Sequence, residues 1–382
     1  MDFSFSEEQT LIQDTARRFA REVIAPTVVA DEEAHRFNTD IYKQMGDMGF
    51  FGLVIPEEYG GSDSGMIASM LATMEIARVS ASWGLPFNMQ TQGPGLTILR
   101  WGTEAQKQRY LPGLVSAELL GAFALTEPNA GSDVAGMKTY AVQDGDHWIL
   151  NGQKTWISNA QVADVCLVFA YTDRALKTKG MTCFLVDMKT TGGVSTQPIK
   201  NKLGLHGSPT GEIFFEDARI HKDQILGGLG EGFKVGMTML DNTRLSCAIR
   251  AVGVGQACID ASVEYAKERK AFGKPIADFQ MIQADLAEMK VEHEAAKLLV
   301  LKAAWQKEKD PHVRNSVDVS MGKYLAAEAA VHAANLTVKI YGSYGYSAEY
   351  PAERLYRDAK SYQIVEGTSN IQKIIISRSL LG

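Results

Sequence analysis

Three stretches of this 382-residue chain carry residue types whose spacing suits chemistry. The one nearest the C-terminus, QIVEGTSNIQKIIISR over 363–378, sets Glu366 just ahead of Gly367 and of a helix that Thr368 or Ser369 can cap. A carboxylate there, flanked by Ile364 and Val365, can lie in an apolar pocket with a raised pKa, as a general base for a weakly acidic C–H requires. A solvated glutamate that helps to cap a helix is the plainer alternative. The second stretch, FALTEPNAGSDVAG over 123–136, is a turn-rich loop dense in backbone donors and short hydroxyls. It can line a polar ring or cradle phosphate oxygens, or be only an elaborate sheet-edge loop. The third, NGQKTWISNA over 151–160, puts Trp156 and Ser158 two residues apart, hence on one face of a strand. An indole beside a hydroxyl suits a flavin platform, and a core tryptophan beside a satisfied serine is the competing reading.

These stretches must be held by different kinds of element. Ser6-Glu-Glu-Gln9 and Thr103-Glu-Ala-Gln106 are capping-box patterns, and Leu11, Ile12, Phe19, Val23 and Ile24 recur at helical spacing. Helical texture runs to about residue 120. From Gly121 to Gly232 it gives way to short β-rich runs, with Asp144-Gly145 and Asn151-Gly152 as two-residue hairpin signals. Helices then return over about 233–270, 276–309, 312–341, near 352 and over 369–380, with a stripe of Leu286, Met289, His293, Ala296 and Val300 at bundle spacing. The expected fold is α+β in three domains: an all-α domain over 1–120, a middle antiparallel β domain over 121–232 and a C-terminal four-helix-bundle domain over 233–382.

Composition narrows the function classes. Apolar residues are 45% and charged residues 22%, with a formal charge of −6, so no global basic field favours nucleic acid. The apolar runs fall short of the roughly 20 residues that span a bilayer, which predicts no membrane insertion. Cys166, Cys183, Cys247 and Cys258 have neither CxxC nor histidine-ligand spacing, so neither a metal site nor a disulfide framework is expected. The N-terminal residues read as a helix start and not as a leader, and a cytoplasmic location is expected.

Taken together, TEPNAGSD, TWIS, RKAFGKP and VEGTSN, in this order over more than 240 residues, resemble the acyl-CoA dehydrogenase family from end to end. The resemblance implies FAD as cofactor. It places Phe123, Leu125, Thr126 and Ser132 around the flavin and pyrophosphate, Trp156 and Ser158 beside the isoalloxazine, and Arg269, Phe272 and Gln280 on the FAD of a neighbouring subunit. Lys339, Ile340, Tyr341, Gly342 and Ser343 fall at the adenine end, and Thr368, Ser369 and Asn370 follow the base and face FAD. Asp241, Asn242, Thr243 and Arg244 match the helix that lines the CoA and acyl tunnel, with Gly367 and Ser132 also expected at the substrate. Glu366 is the implied base, because Thr243, where some relatives carry it, cannot serve. The same resemblance implies an acyl-CoA substrate, a homotetramer built as a dimer of dimers, and an electron-transfer flavoprotein as acceptor.

Three other readings compete: an oxidase on the same fold, a catalytically dead scaffold, and a nicotinamide enzyme. The last lacks a GxGxxG after a strand, the nearest match being GVGQAC from Gly253 inside a helical run. For the acyl group, EEYGG, LHGSPTGE and YGYSAEYP are similar to glutaryl-CoA dehydrogenases of the non-decarboxylating type. Those enzymes grip a distal carboxylate with an arginine whose position falls here at about Gly84, and no basic residue lies between Arg78 and Arg100. The expectation is therefore a neutral, compact acyl group, short, branched or alicyclic, with Trp83, Phe87, Met89 and Thr91 near its distal end. A glutaryl thioester is the alternative.

Overall fold

The computed structural model describes residues 4–382, apart from the side chain of Asn88. Seven helices come first: α1 Glu7–Phe19, α2 Val28–Glu33, α3 Thr39–Asp47, α4 Gly65–Val79, α5 Ala81–Gln90, α6 Leu96–Trp101 and α7 Glu104–Val115. Both capping boxes form: Ser6 with Gln9 starts α1, and Thr103 with Gln106 starts α7. Between α5 and α6 the helix widens into a π turn over Thr91–Gly95. Pro94 within it has no N–H to give, and π turns of this kind often sit at functional sites.

Eight strands follow: β1 Gly121–Ala124, β2 Tyr140–Asp144, β3 His147–Ser158, β4 Val165–Tyr171, β5 Met181–Asp187, β6 Val194–Pro198, β7 Thr210–His221 and β8 Ile225–Leu226. Their order is β6-β7-β3-β2-β4-β5-β8, with β1 on β4. The sheet is mixed, not purely antiparallel as expected, because β4 pairs parallel to both β1 and β2. The Asp144-Gly145 signal does close the β2–β3 hairpin, with Asp144 opposite His147 and Gly145 at φ 60°. Asn151-Gly152 is not a turn. It lies inside β3, where the register against β7 shifts between Leu150 and Gly152, and Asn151 bonds both the backbone N–H and the carboxylate of Asp217. Gly152, at φ 145°, supplies backbone freedom to a bulge instead of a hairpin.

The third part is α8 Gly232–Glu268, the small hairpin β9 Lys270–Ala271 and β10 Lys274–Pro275, then α9 Gln280–Lys309, α10 Ser316–Tyr341, α11 Pro351–Ala359 and α12 Ser369–Leu381. Helices α8, α9 and α10 pack together, α10 also carries α11 and α12, and α4 packs on α8. Gly253, in the GVGQAC run, lets α8 approach α4, since a Cβ there would stand 2.5 Å from the Met74 carbonyl oxygen. One apolar core, including Met289, Ala296, Val300 and the alanines of α10, spans α4, α8, α9 and α10. The four cysteines are buried and free. Among the described residues no helix is long and apolar enough to cross a membrane.

Candidate active site

Glu366 lies two residues ahead of Thr368, whose hydroxyl caps α12 by accepting from the Ile371 N–H at 3.3 Å. The glutamate does not cap. Its backbone is in the left-handed region at φ 58°, with Gly367 beside it at 86°. That geometry is costly for a residue with a side chain, and it aims the carboxylate away from α12 and towards α8. There Thr243 donates its hydroxyl to Glu366 Oε2 at 2.7 Å.

Three further groups fix the turn: Arg244 Nε donates to the Glu366 carbonyl at 3.1 Å, Lys323 Nζ to the Gly367 carbonyl at 2.7 Å, and Gln372 Nε2 to the same oxygen at 2.8 Å. Burial lowers the pKa of Lys323. Arg244 is oriented in turn by Asp241, which also accepts from Ser316 at 2.7 Å. Ser369 turns the other way and donates to Glu328 at 2.6 Å, while Asn370 is exposed. Ile364 and Val365 are exposed as well, so the residues that flank Glu366 in sequence do not wall it. Its surroundings come from α8.

The second stretch is pinned from beneath by a buried ion pair. Glu127 accepts from Lys154 Nζ at 2.8 Å and from the N–H groups of Lys138 and Thr139, and Lys154 also reaches the Leu125 carbonyl at 3.2 Å. Burial alone would raise the pKa of Glu127, but the Lys154 charge and these hydrogen bonds outweigh it and hold the net value low. Burial pushes Lys154 down to about 8. The pair ties β3 to the loop after β1, where the Thr155 N–H meets the Thr126 carbonyl at 3.0 Å. Leu125 is buried, Phe123 and Thr126 half-buried, and Ser132 exposed.

Trp156 rejects the core reading. It is 59% exposed with φ 59°, at a second bulge in β3 where the register shifts between Lys154 and Ile157. Ile157 is buried on the opposite face and Ser158 is half-buried. Phe272 is held in a similar way. It forms the β9–β10 turn with Gly273, φ 51° and 80° as a type I′ turn needs, and is 96% exposed. Arg269 is exposed at the end of α8 with its guanidinium 5.4 Å from the Tyr344 ring, and Gln280 is exposed at the start of α9.

The three domain models of the acyl-CoA dehydrogenase family, N-terminal, middle and C-terminal, match residues 6–118, 122–218 and 230–381. A glutaryl-CoA dehydrogenase of Desulfococcus multivorans is 48% identical over 385 residues, covering 100% of this chain and 98% of that protein. A solved glutaryl-coenzyme A dehydrogenase in complex with glutaryl-CoA superposes with a TM-score of 0.98 at 47% identity, covering 100% of this chain and 97% of the other. Butyryl-CoA dehydrogenase from Megasphaera elsdenii superposes at 0.97 and 36% identity, with both chains covered in full.

The chain belongs to the acyl-CoA dehydrogenase family. It is a flavin-dependent oxidoreductase that acts on the CH–CH bond of an acyl-CoA thioester, with FAD as cofactor.

Several residues expected from the acyl-CoA dehydrogenase pattern are packed within the chain. Ile340 and Tyr341 face the core, Tyr341 stacked on Tyr265 at 4.0 Å, so their side chains are committed; Lys339, paired with Asp285, and Gly342 and Ser343 are exposed. Trp83 and Phe87 share the face of α5 that packs on Phe37, Phe50 and Phe51 in the N-terminal core. Met89 and Thr91 are buried, the Thr91 hydroxyl reaching towards the Phe51 carbonyl at 3.5 Å. What approaches α8 from this segment is Gly84 and Gly93. A Cβ on Gly93 would stand 3.1 Å from the Phe123 ring and 4.0 Å from Thr243 Cγ2, which joins the π turn, β1 and the Glu366 partner.

Sequence reasoning missed the roles of Lys323, Gln372 and Glu127, since nothing local marks them. It also missed Arg250, which is 2% exposed on α8, one of the largest fully buried side chains, and lies with its Cδ 3.4 Å from where a Gly84 Cβ would be.

Proposed function

We propose that Glu366 is the base that takes the α-proton of a short acyl-CoA thioester. The observation that carries this is the Glu366 carboxylate turned out of its helix by left-handed backbone and met by the Thr243 hydroxyl at 2.7 Å. Thr243 and Arg244 hold the carboxylate and its own backbone carbonyl, so the base is oriented before a substrate arrives. The Glu366 N–H would donate to the thioester carbonyl as enolate character develops, a contact typically worth about 3–4 kcal/mol. FAD, when bound, accepts the β-hydride.

The residues present suit that cofactor. Trp156 and Phe272 are aromatic side chains held outward in left-handed backbone, an arrangement that packing within the chain does not explain. In this reading Phe123, Leu125, Thr126, Trp156 and Ser158 border the flavin, and Ser132 lies towards the pyrophosphate. Arg269, Phe272 and Gln280 reach the FAD of a second subunit, with Lys339, Gly342, Ser343, Thr368, Ser369 and Asn370 near the same cofactor. Asp241, Asn242 and Gly367 lie along the CoA and acyl path. The working form is a homotetramer in the cytoplasm, and an electron-transfer flavoprotein takes the electrons. The exposed hairpin that bears Phe272 supports the inter-subunit part.

The acyl group is short because Arg250 closes the α8 side of the path. Arg250 follows Thr243 by seven residues, two helical turns, and its Nε bonds the Ser246 carbonyl at 3.4 Å. The guanidinium therefore leans back to about one turn, ~5 Å, beyond Thr243, the span of a few carbon–carbon bonds. The expectation of a neutral acyl group rested on the lack of a basic residue between Arg78 and Arg100, and Arg250 beside Gly84 removes that ground. Replacing Glu366 by Gln tests the proposal: yellow, folded protein that keeps near-normal turnover of every short acyl-CoA would overturn it.

A further inference from the structure

Arg250 is a buried cation without an anion. Among the described residues its recorded partners are the Ser246 carbonyl, on Nε, and the face of Tyr362, with Cζ 5.8 Å from the ring centroid. Among the described residues no carboxylate pairs with it, and its two terminal nitrogens, the fork that binds a carboxylate bidentately, have no hydrogen-bond partner. Tyr362 beside it is 1% exposed, and its hydroxyl has no partner either. Arginine does not give up its proton when buried, so it cannot escape the cost of desolvation by neutralising. An unpaired buried charge is a strongly unfavourable arrangement, and its natural completion is an anion supplied from outside the chain.

The place of this cation says which anion. Arg250 lies on the α8 stripe that begins at Thr243, and both side chains lean the same way along the helix. Across from it stands Gly84, where a Cβ would come within 2.9 Å of the Ala77 Cβ, a forced clash, and 3.4 Å of Arg250 Cδ, so a side chain there would meet α4 first and then touch the stem of the arginine. Gly84 is thus the counterpart of Arg250: the bare backbone on α5 leaves the room that the arginine from α8 fills.

We infer that the acyl group of the substrate ends in a carboxylate, and that Arg250 binds it. The substrate class is the CoA monothioester of a short dicarboxylic acid. The inference rests on the reading of Glu366 as the base at the other end of the same path. The anchor comes from α8, not from the segment between Arg78 and Arg100 where sequence reasoning looked for it, and Arg250 sets specificity without touching the reacting carbons.

The test compares glutaryl-CoA with pentanoyl-CoA, which have the same chain length and differ in a carboxylate for a methyl, on the purified yellow holoenzyme with an artificial electron acceptor. The wild-type enzyme should favour glutaryl-CoA in kcat/KM by about 100-fold or more, and Arg250→Met should reduce that ratio by about 100-fold, mainly through KM for glutaryl-CoA. Arg250→Lys, which keeps the charge and loses the fork, should fall between them, and it decides the matter if the Met variant does not fold. Flavin content and melting temperature show whether each variant is intact. A wild-type preference for pentanoyl-CoA, or an unchanged ratio in an intact variant, overturns the role of Arg250 and leaves the base assignment standing. Failure to oxidise either thioester overturns the proposed function itself.

Discussion

Thr243 and Glu366, far apart in the chain, meet through a hydrogen bond of 2.7 Å between the hydroxyl of α8 and the carboxylate of the loop before α12. The contact makes the position of this carboxylate the property of two elements. Glu366→Gln should keep flavin and ligand binding and lower kcat by about 1,000-fold or more, since the amide retains the shape and cannot take a proton. Thr243→Val should lower kcat by about 10-fold, because one hydrogen bond to a charged group is lost while the carboxylate stays. Stopped-flow bleaching of the flavin by substrate checks both, and equal rates in Thr243→Val and wild type would remove the hydroxyl from the account.

Gly367 is needed twice over. Its φ of 86° disfavours any side chain, and a Cβ would stand 2.8 Å from Gln372 Nε2, the group that holds the Gly367 carbonyl. Gly367→Ala should cost about 1 kcal/mol or more of stability and displace the base. Thermal melts paired with kcat measure it, and a variant that matches wild type in both would show that the turn tolerates a methyl group.

The Arg269–Phe272 hairpin should govern flavin retention. Arg269→Ala removes a cation that can hold a diphosphate, and Phe272→Ala removes an exposed ring, so both variants should release FAD on dilution and shift to smaller assemblies in sedimentation. Full flavin occupancy with unchanged assembly in both would count against a site shared between subunits.

Asp358 gives a pH signature. It is buried at 1% exposure, accepts the Leu205 N–H at 2.7 Å, and is pushed up to about 7, first by burial and then by the nearby charge of Glu32, with Arg354 and Arg357 acting in the opposite sense. Lys202, itself pushed down to about 8 by burial, also faces this group. Because the folded pKa lies above the unfolded value, the native state holds the extra proton between about pH 4 and pH 7. Stability from this group is full at the acid end and declines as pH rises through 7, by up to about 1.4 kcal/mol per unit. Asp358→Asn should flatten the fall in melting temperature across that window. Parallel slopes for the two proteins would refute the assignment.

The parts of the fold that were legible in the sequence are those fixed by neighbours in the chain. The boxes at Ser6 and Thr103 name their helices because donor and acceptor lie three residues apart. Asn151-Gly152 misled because positive φ serves a bulge as well as a hairpin, and only the pairing of β3 with β7 decides between them. Glu366 was recognisable from its motif, yet Ile364 and Val365 are exposed and do not wall it, because the left-handed backbone at Glu366 and Gly367 turns the carboxylate towards α8 and away from its neighbours in sequence. For Trp83 and Phe87 an apolar helix does not reveal which neighbours its buried faces meet, and only the structure shows both rings packed on Phe37, Phe50 and Phe51. Arg250 was passed over for a similar reason: a charge in the middle of a buried helix carries no local signal of what it answers.

The close approach at Gly84 also has a mechanical consequence. A Cβ there would meet the Ala77 Cβ at 2.9 Å before it met Arg250 Cδ at 3.4 Å, so α5 is seated against α4 and α8 by the lack of a side chain at this one position. A methyl group at 84 would push on the helix as a whole and not only on the guanidinium, and its effect would reach both neighbouring helices at once.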